Sequence, residues 1–280
     1  MQSAQRLKNE LELNTELTQL LEVLKGIASA QFRQLEKRRE RFAKFMDAFE
    51  GFFQLIDFSS VQHPFAGGGG NLGIIMITSD EGFMGGLNTK VINTALEYSG
   101  AENAELIIIG DRGAAYLKGM GRSFTGFPGI TSDGGYEAAL NLKSFIMKEG
   151  LAGKFSRLML FYPKPVSFTV HKIEALSILP CSELFKKREN IAEENIIIES
   201  SLSAIIEYLV GTWVVEKLFE VFEDSKLSEF SARTVHLEES HQVLLQRERL
   251  IRFQYFRSRH ELIDRGMRET FSSQLLRKRS

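Results

Sequence analysis

The stretch ITSDEGFMGGLNT, Ile77 to Thr89, is the first place where this sequence could do chemistry. Gly82, Gly85 and Gly86 crowd a turn between an apolar run, Gly73 to Ile77, and a segment with helical character, KVINTALEY. A glycine-rich turn between strand and helix offers main-chain N–H groups and a helix N-terminus, the usual seat of a nucleotide phosphate. The lysine of a phosphate-binding loop is missing, since no GxxxxGKS/T pattern occurs. A GxGxxG match runs from Gly68 to Gly73, but it precedes the strand and lies in a GGGGNLG run that reads as a flexible loop. The turn is therefore expected to be a packing device. Glycine lets the strand turn back tightly and lets the helix from about Leu87 approach the sheet closely.

Other reactive residue types are sparse. His236 and His241 are five apart, which puts them on different sides of a helix, so HLEESH is a poor metal site. No serine or cysteine has a recognisable base beside it. Cys181, the one cysteine, has no partner motif in LPCSELF and reads as a plain thiol. Asp80, Asp111 and Asp133 sit near turns, where helix N-caps belong. No catalytic residue, metal ligand or cofactor-binding residue is expected. One segment does stand out: Leu244 to Ser280 holds ten Lys/Arg against four Asp/Glu, a net +6 within a chain of net −1. It reads either as a solvated helix exterior or as a basic rod facing an acidic partner.

Composition bounds the partners. A net charge of −1 argues against a general nucleic-acid binder. Hydrophobic residues make up 43% of the 280, enough for a core. A single thiol fits a reducing compartment. The opening MQSAQRLKNELEL lacks a basic-then-apolar signal pattern, and no apolar stretch reaches bilayer length, so direct membrane insertion is not expected.

The breakers divide the chain. All five prolines lie between Pro64 and Pro180, and 19 of 23 glycines between Gly67 and Gly153. Long helices are therefore expected at both ends around a compact domain. Leu21, Ala28, Leu35, Phe42, Phe49 and Ile56 repeat every seven residues, with a second row at Leu17, Leu24, Phe45 and Phe52 interrupted by Gln31 and Arg38. Such a row forms a narrow apolar stripe with a supercoiling tendency. A helix of that length needs another long helix to cover it. From about Ser201 the C-terminal region supplies one, with Leu237, Leu244 and Ile251 seven apart and the stripe drifting to Phe256, Ile263, Met267, Phe271 and Leu275. The simplest pairing is antiparallel. Between them, LGIIMITS, AELIIIG and RLMLFYP read as strands and LNTKVINTALEYS, DRGAAYLKGM and GYEAALNLKSFIMKEG as helices. This alternation predicts a parallel α/β unit, with VSFTVHKIEALSILP as one or two edge strands. The fold class expected is α/β: a long antiparallel coiled coil of the N- and C-terminal helices plus a small Rossmann-like domain. The expected boundaries are 1–60 and 201–280 for the coiled coil and 70–195 for the α/β domain.

With these residues in place, the chain resembles the gamma-subunit family of F-type ATP synthases. SDEGFMGGLNT is similar to the family pattern SDxGLCGGxN, and LKGIASAQFRQLE to MKxVAAAKLR. LSEFSARTVHLEES and RFQYFRSRHELIDRGMRETFSS resemble the family's C-terminal segments, while GDRGAAYL and SILP sit where the family has similar runs. Glu81 stands where the family usually has arginine, Met84 where it has cysteine, His260 where it has glutamine and Asp264 where it has threonine. FRQLE looks more like the sodium-translocating N-type branch.

The resemblance implies a non-catalytic central-stalk rotor subunit coupling transmembrane ion flow to ATP synthesis or hydrolysis. It implies alpha and beta subunits, an epsilon subunit and a membrane c-ring as partners, and a peripheral place on the cytoplasmic face of the bacterial inner membrane. It implies no cofactor and no nucleic acid. It makes Arg252, Arg257, Arg259 and His260 contacts to the beta subunit, and Asp80, Gly82, Gly85, Gly86 and Asn88 a structural turn. A coiled-coil adaptor derived from the family, or a nucleotide-binding enzyme built on the α/β unit, are the rival readings. Because the phosphate-loop lysine is absent, calorimetric titration of the purified chain with Mg-ATP should give no heat of binding at micromolar concentrations; a saturating isotherm would favour the enzyme.

Overall fold

The computed structural model describes residues 4–52, 65, 70–181 and 200–277, with side chains over 4–37 in the first stretch and up to 274 in the last. In chain order the elements are α1 (Ala4–Phe52), β1 (Leu72–Ile77), α2 (Leu87–Leu96), β2 (Glu105–Ile109), α3 (Asp111–Gly119), β3 (Thr125–Phe127), α4 (Gly135–Leu151), β4 (Arg157–Pro165), β5 (His171–Leu179) and α5 (Leu202–Arg277). The chain divides into two compact units, Met1–Ala28 with Thr234–Ser280, and Ser29–Arg233. Of the expected seam rows, the side chains of Phe42, Phe45, Phe49 and Phe52, with Ile56 and Leu275, lie outside the described ones. So does Gly68 of the GGGGNLG run.

The larger unit is built on a five-stranded sheet in the order β3-β2-β1-β4-β5. β3, β2, β1 and β4 are parallel, and β5 returns antiparallel beside β4 as the edge strand. β1 is buried at every position because both faces are covered, which is why LGIIMI reads as a continuous apolar run. Alternation along it sorts the core. Ile74 and Met76 meet Val91, Ile92 and Ala95 of α2 and Leu117 of α3 on one face. Ile75 and Ile77 join Leu142 and Ile146 of α4 and Val210, Val214, Leu218 and Phe222 of α5 on the other. The helices present these residues at three- and four-residue spacings, as one buried face requires. β3 pairs only three residues with β2, too short to show in the sequence. Cys181 is buried, and burial pushes its thiol up to about 12, the state of an unreactive packing residue.

In the same unit the β4–β5 hairpin is fastened to α5. Ser228 Oγ donates to the Pro163 carbonyl at 2.9 Å, and Ser231 Oγ to the Ser228 carbonyl at 3.1 Å. With its proton so placed, the Ser231 oxygen accepts from His171 Nε2 at 2.6 Å. Near the hairpin's end Phe168 packs edge-on against Phe32 of α1, with ring centroids 4.9 Å apart. Phe32 and Leu35 form a small core with Leu227 and Phe230.

The smaller unit is an antiparallel pair of helical segments, as its cross-links show. Glu10 meets Arg247 at 2.8 Å, Asn14 Nδ2 donates to the Leu244 carbonyl at 3.0 Å, and Lys25 meets Glu238 at 2.7 Å. The first expected row holds: Ala28 is buried and Leu21 half-buried, and the row extends back to Asn14 and Leu7. The second holds in part: Leu24 is half-buried, but Leu17 is exposed, and Leu11, Thr18 and Lys25 also turn inward. These positions bring polar groups inward, and each finds a partner: Thr18 Oγ1 donates to the Asn14 carbonyl, and Asn14 itself bonds across the pair. A polar residue in a seam favours one register over its neighbours, because a slip would leave it buried and unbonded. On α5, Leu237 and Ile251 are buried as expected, but Phe256, Ile263, Met267 and Phe271 are exposed and join no seam among the described residues.

His171 provides a pH test of the hairpin anchor. Burial and the nearby Lys90 charge hold its pKa below the ordinary 6.5. On the acid side of 6.5 the unfolded chain therefore binds more protons at this site than the folded one. Its contribution to stability is complete above that pH and is lost as pH falls. Urea unfolding of His171→Gln should show a shallower decline in stability below pH 6.5 than the parent; an identical decline would separate this residue from the acid response.

Candidate partner interface

Two surfaces held chemical promise in the sequence: the C-terminal edge of the parallel strands and the basic end of α5. At the first, β1 runs into Thr78, whose N–H and Oγ1 both donate to the Ile109 carbonyl at the end of β2. Ser79 and Asn88 bond reciprocally, Asn88 Nδ2 to Ser79 Oγ at 2.9 Å and Ser79 N–H to Asn88 Oδ1 at 3.3 Å. This ties the first turn of α2 to the end of β1. Gly85 takes a positive φ of 59° that other residues rarely adopt, whereas a side chain at Gly86 would meet nothing within 4 Å. The close approach lies instead at Gly110, with φ 101°, where a Cβ would stand 2.6 Å from the Thr78 carbonyl oxygen.

Asp80 does not cap α2; the position before that helix is Gly86. Its Oδ1 accepts from Asp111 N–H at 2.8 Å and Gly129 N–H at 3.1 Å. It thus caps α3, the next helix, and pins the segment after β3. The position before α4 is Gly134, whose N–H donates to Thr131 Oγ1, while Asp133 precedes it. A carboxylate at the N-terminus of α3 takes the place that a phosphate would need, and its charge would repel one.

The crevice at the strand ends, between β1 and its neighbours, is where an open α/β sheet usually binds a ligand. Here α5 meets it. Arg233, 8% exposed at its side chain, donates through Nε to the Gly82 carbonyl at 3.3 Å. Its Nη2 reaches Glu229 at 2.7 Å and Glu81 at 3.0 Å. Lys226 bonds Glu229 from the other side at 2.8 Å, and the Phe230 ring lies near both cations. Glu81 and Gly82 of the turn therefore dock on α5 through one arginine. Among the described residues no cluster of His, Cys, Asp or Glu could hold a metal ion, and no helix is long and apolar enough to cross a membrane.

At the second surface, Arg252 pairs with Glu248 at 2.6 Å and Arg257 with Glu261 at 3.3 Å, both four residues along the same helix. These arginines, with Arg259 and His260, are exposed. Solvated pairs of this kind contribute little to stability and part easily. Phe253 and Phe256 stand between them and Ile263, Met267 and Phe271 follow, all exposed. The four expected contact residues thus share one exposed helical segment with Phe253 and Phe256, and exposed apolar residues continue beyond it. The smaller unit also carries a surface the sequence reading missed: Leu13, Leu17, Leu20, Val23 and Ile27 of α1 are 42–60% exposed. Its signal was present as a second seven-residue row, Leu13, Leu20 and Ile27, beside the one in the seam.

Known proteins resemble the chain along its length. The ATP synthase family profile matches residues 3–273. The ATP synthase gamma chain of Ruminococcus albus is 24% identical over 290 residues, covering 98% of each chain. That of Cytophaga hutchinsonii is 21% identical over 290 residues, covering 96% of this chain and 97% of its own. The rotor of Euglena gracilis mitochondrial ATP synthase, in rotational state 1, superposes with a TM-score of 0.66 at 17% identity over 93% of this chain and 98% of that one. The shared fold is a property of the long helices and small sheet.

Breaking the arginine tie separates burial from contact. Arg233→Ala leaves the buried Glu229 carboxylate without its main partner and should cost about 3 kcal/mol in urea unfolding. Glu81→Gln removes a carboxylate whose side chain is 74% exposed and should cost well under 1 kcal/mol, as solvated pairs do. Equal losses would place the anchor at the turn.

Proposed function

The chain belongs to the ATP synthase family, and from that premise we propose that it works as a divergent gamma subunit, the central-stalk rotor of an F-type ATP synthase. The match of the family along residues 3–273 carries this reading. Its role is mechanical: ion flow turns the shaft, and the shaft's asymmetric helical faces favour different nucleotide states in successive catalytic subunits. A rotor can drive such states only by contacting their alternative conformations unequally. No bond chemistry is assigned to the chain itself.

In this reading the helical pair meets the alpha and beta subunits, and the α/β unit meets the epsilon subunit and the c-ring. The complex places the chain at the cytoplasmic face of a bacterial inner membrane, as a peripheral component. Arg252, Arg257, Arg259 and His260 face the beta subunit. Arginine suits such contacts because its planar fork grips carboxylates with two hydrogen bonds. A rotating shaft needs contacts that form and release, so each solvent-exposed one should be worth about 1 kcal/mol.

Arg257→Ala combined with Arg259→Ala should leave the fold of the chain intact, since both residues are exposed. In vesicles reconstituted with the whole complex, the double variant should pump fewer ions per ATP hydrolysed than the parent. High salt should partly reproduce the loss, because it screens exposed charges. Unchanged coupling at low salt would reduce these arginines to a solvated helix face.

A further inference from the structure

The far half of the β4–β5 hairpin stands clear of the sheet. β1 pairs with β4 only as far as Phe161, whereas β4 and β5 stay paired out to Pro165 and His171. Beyond Phe161 the hairpin is therefore a two-stranded ribbon, and such a ribbon is marginal in water unless it packs on something else. Its tip, Val166 to Val170, is exposed. Three contacts hold it down. Ser228 Oγ of α5 donates to the Pro163 carbonyl, His171 Nε2 meets Ser231 Oγ at 2.6 Å, and Phe168 lies edge-on against Phe32. The second of these can titrate. Ser231 gives its own proton to the Ser228 carbonyl, so its oxygen accepts, and the hydrogen-bond network assigns the neutral imidazole's proton to Nε2. A further proton has to enter at Nδ1.

The charges around His171 oppose that proton. The imidazole is half-buried, and the charge that acts on it is Lys90 of α2, which repels an imidazolium. Among the described residues no carboxylate bonds it. α5 presents the neutral hydroxyls of Ser228 and Ser231, and its Lys226, Glu229 and Arg233 are tied to one another. β4 sets Pro165 opposite His171, and Lys164 and Glu174 pair with each other. Lys172 is exposed, and strand alternation puts it on the other face of the ribbon. α1 buries Phe32 and leaves Arg33 and Glu36 exposed. We propose that the hairpin is an acid-released latch: protonation of His171 frees the ribbon beyond Phe161 from α5 and uncovers Phe32, while the rest of the sheet stays folded. In the docked ribbon, burial and Lys90 hold the imidazole below its ordinary 6.5, whereas in a lifted ribbon it is solvated and titrates near that value. Above 6.5 the imidazole is neutral in both states and the latch is shut. Below it the lifted ribbon takes up the proton more readily, and the equilibrium moves towards lifting. The latch needs no partner and does not rest on the rotor reading.

Amide hydrogen exchange of the full-length chain, read by mass spectrometry at about pH 7.5 and about pH 5 with exposure times scaled for the intrinsic rate, tests it. Peptides covering the ribbon beyond Phe161 should lose protection at the lower pH, and those covering β1 and β2 should keep theirs. The loss should be about tenfold for each unit by which the His171 midpoint, followed by imidazole NMR, lies below 6.5. His171→Gln still offers an N–H to Ser231 but takes up no proton, and its ribbon should stay protected at both pH values. Lys90 is exposed, so Lys90→Gln should keep the fold; it should raise the His171 midpoint and shrink the loss of protection in step. Protection that falls equally in the parent and His171→Gln, that falls together with β1 and β2, or that does not follow the midpoint in Lys90→Gln would each overturn the proposal.

Discussion

Everything in this chain hangs on α5. Val210, Val214, Leu218 and Phe222 of that helix cover one face of the sheet, and farther along the same helix Leu237 and Ile251 form the seam with α1. From Val221 to Ser225 every residue is buried, Glu223 and Asp224 among them. A helix buried on all sides must carry polar groups inward, and burying them is unfavourable unless they are bonded. Much of the tertiary structure answers that demand. Ser228 bonds a strand carbonyl, Ser231 bonds His171, Glu229 sits between Lys226 and Arg233, and Arg233 reaches the turn after β1.

The turn that opened as a nucleotide question is best understood from this side. Its glycines and carboxylate serve connections within the protein: Asp80 holds α3 and the segment after β3, Asn88 holds α2, and Glu81 and Gly82 hold α5. Glu81 stands where the resembling family has arginine, yet it is in the right place to meet the buried guanidinium of Arg233. A divergent residue at a family motif has thus been absorbed into a local charge pair. The arrangement binds secondary elements together with main-chain donors of the kind a phosphate site would use, but it satisfies them with the protein's own carboxylate.

Much of the α/β unit was legible in the sequence because buried parallel strands and amphipathic helices leave strong periodic signals. The short β3 was not, since three residues carry no period. The seam was half legible. Leu21 and Ala28 announced the first row, but α1 has enough apolar residues for two stripes, and periodicity alone does not say which one the intrachain partner takes. The structure turns Asn14, Thr18 and Lys25 inward and leaves Leu13, Leu17 and Leu20 outside. Likewise Phe256, Ile263, Met267 and Phe271 look like core by spacing, and only the extent of the seam shows them in solvent.

By itself the sequence determined that the ends are long helices, that the middle is a parallel sheet wrapped by helices, and that no phosphate-loop lysine is available. Those properties follow from local rules: where glycine and proline fall, which side chains repeat at two or at three to four residues, and which functional groups exist at all. What the tertiary structure alone decided is which partner each group meets. Asp80 caps a helix 31 residues away, Arg233 crosses 151 residues to the Gly82 carbonyl, and Asn14 bonds a carbonyl 230 residues along the chain. Contacts at such separations leave no periodic trace, because they depend on how whole elements pack and not on the spacing within any one of them.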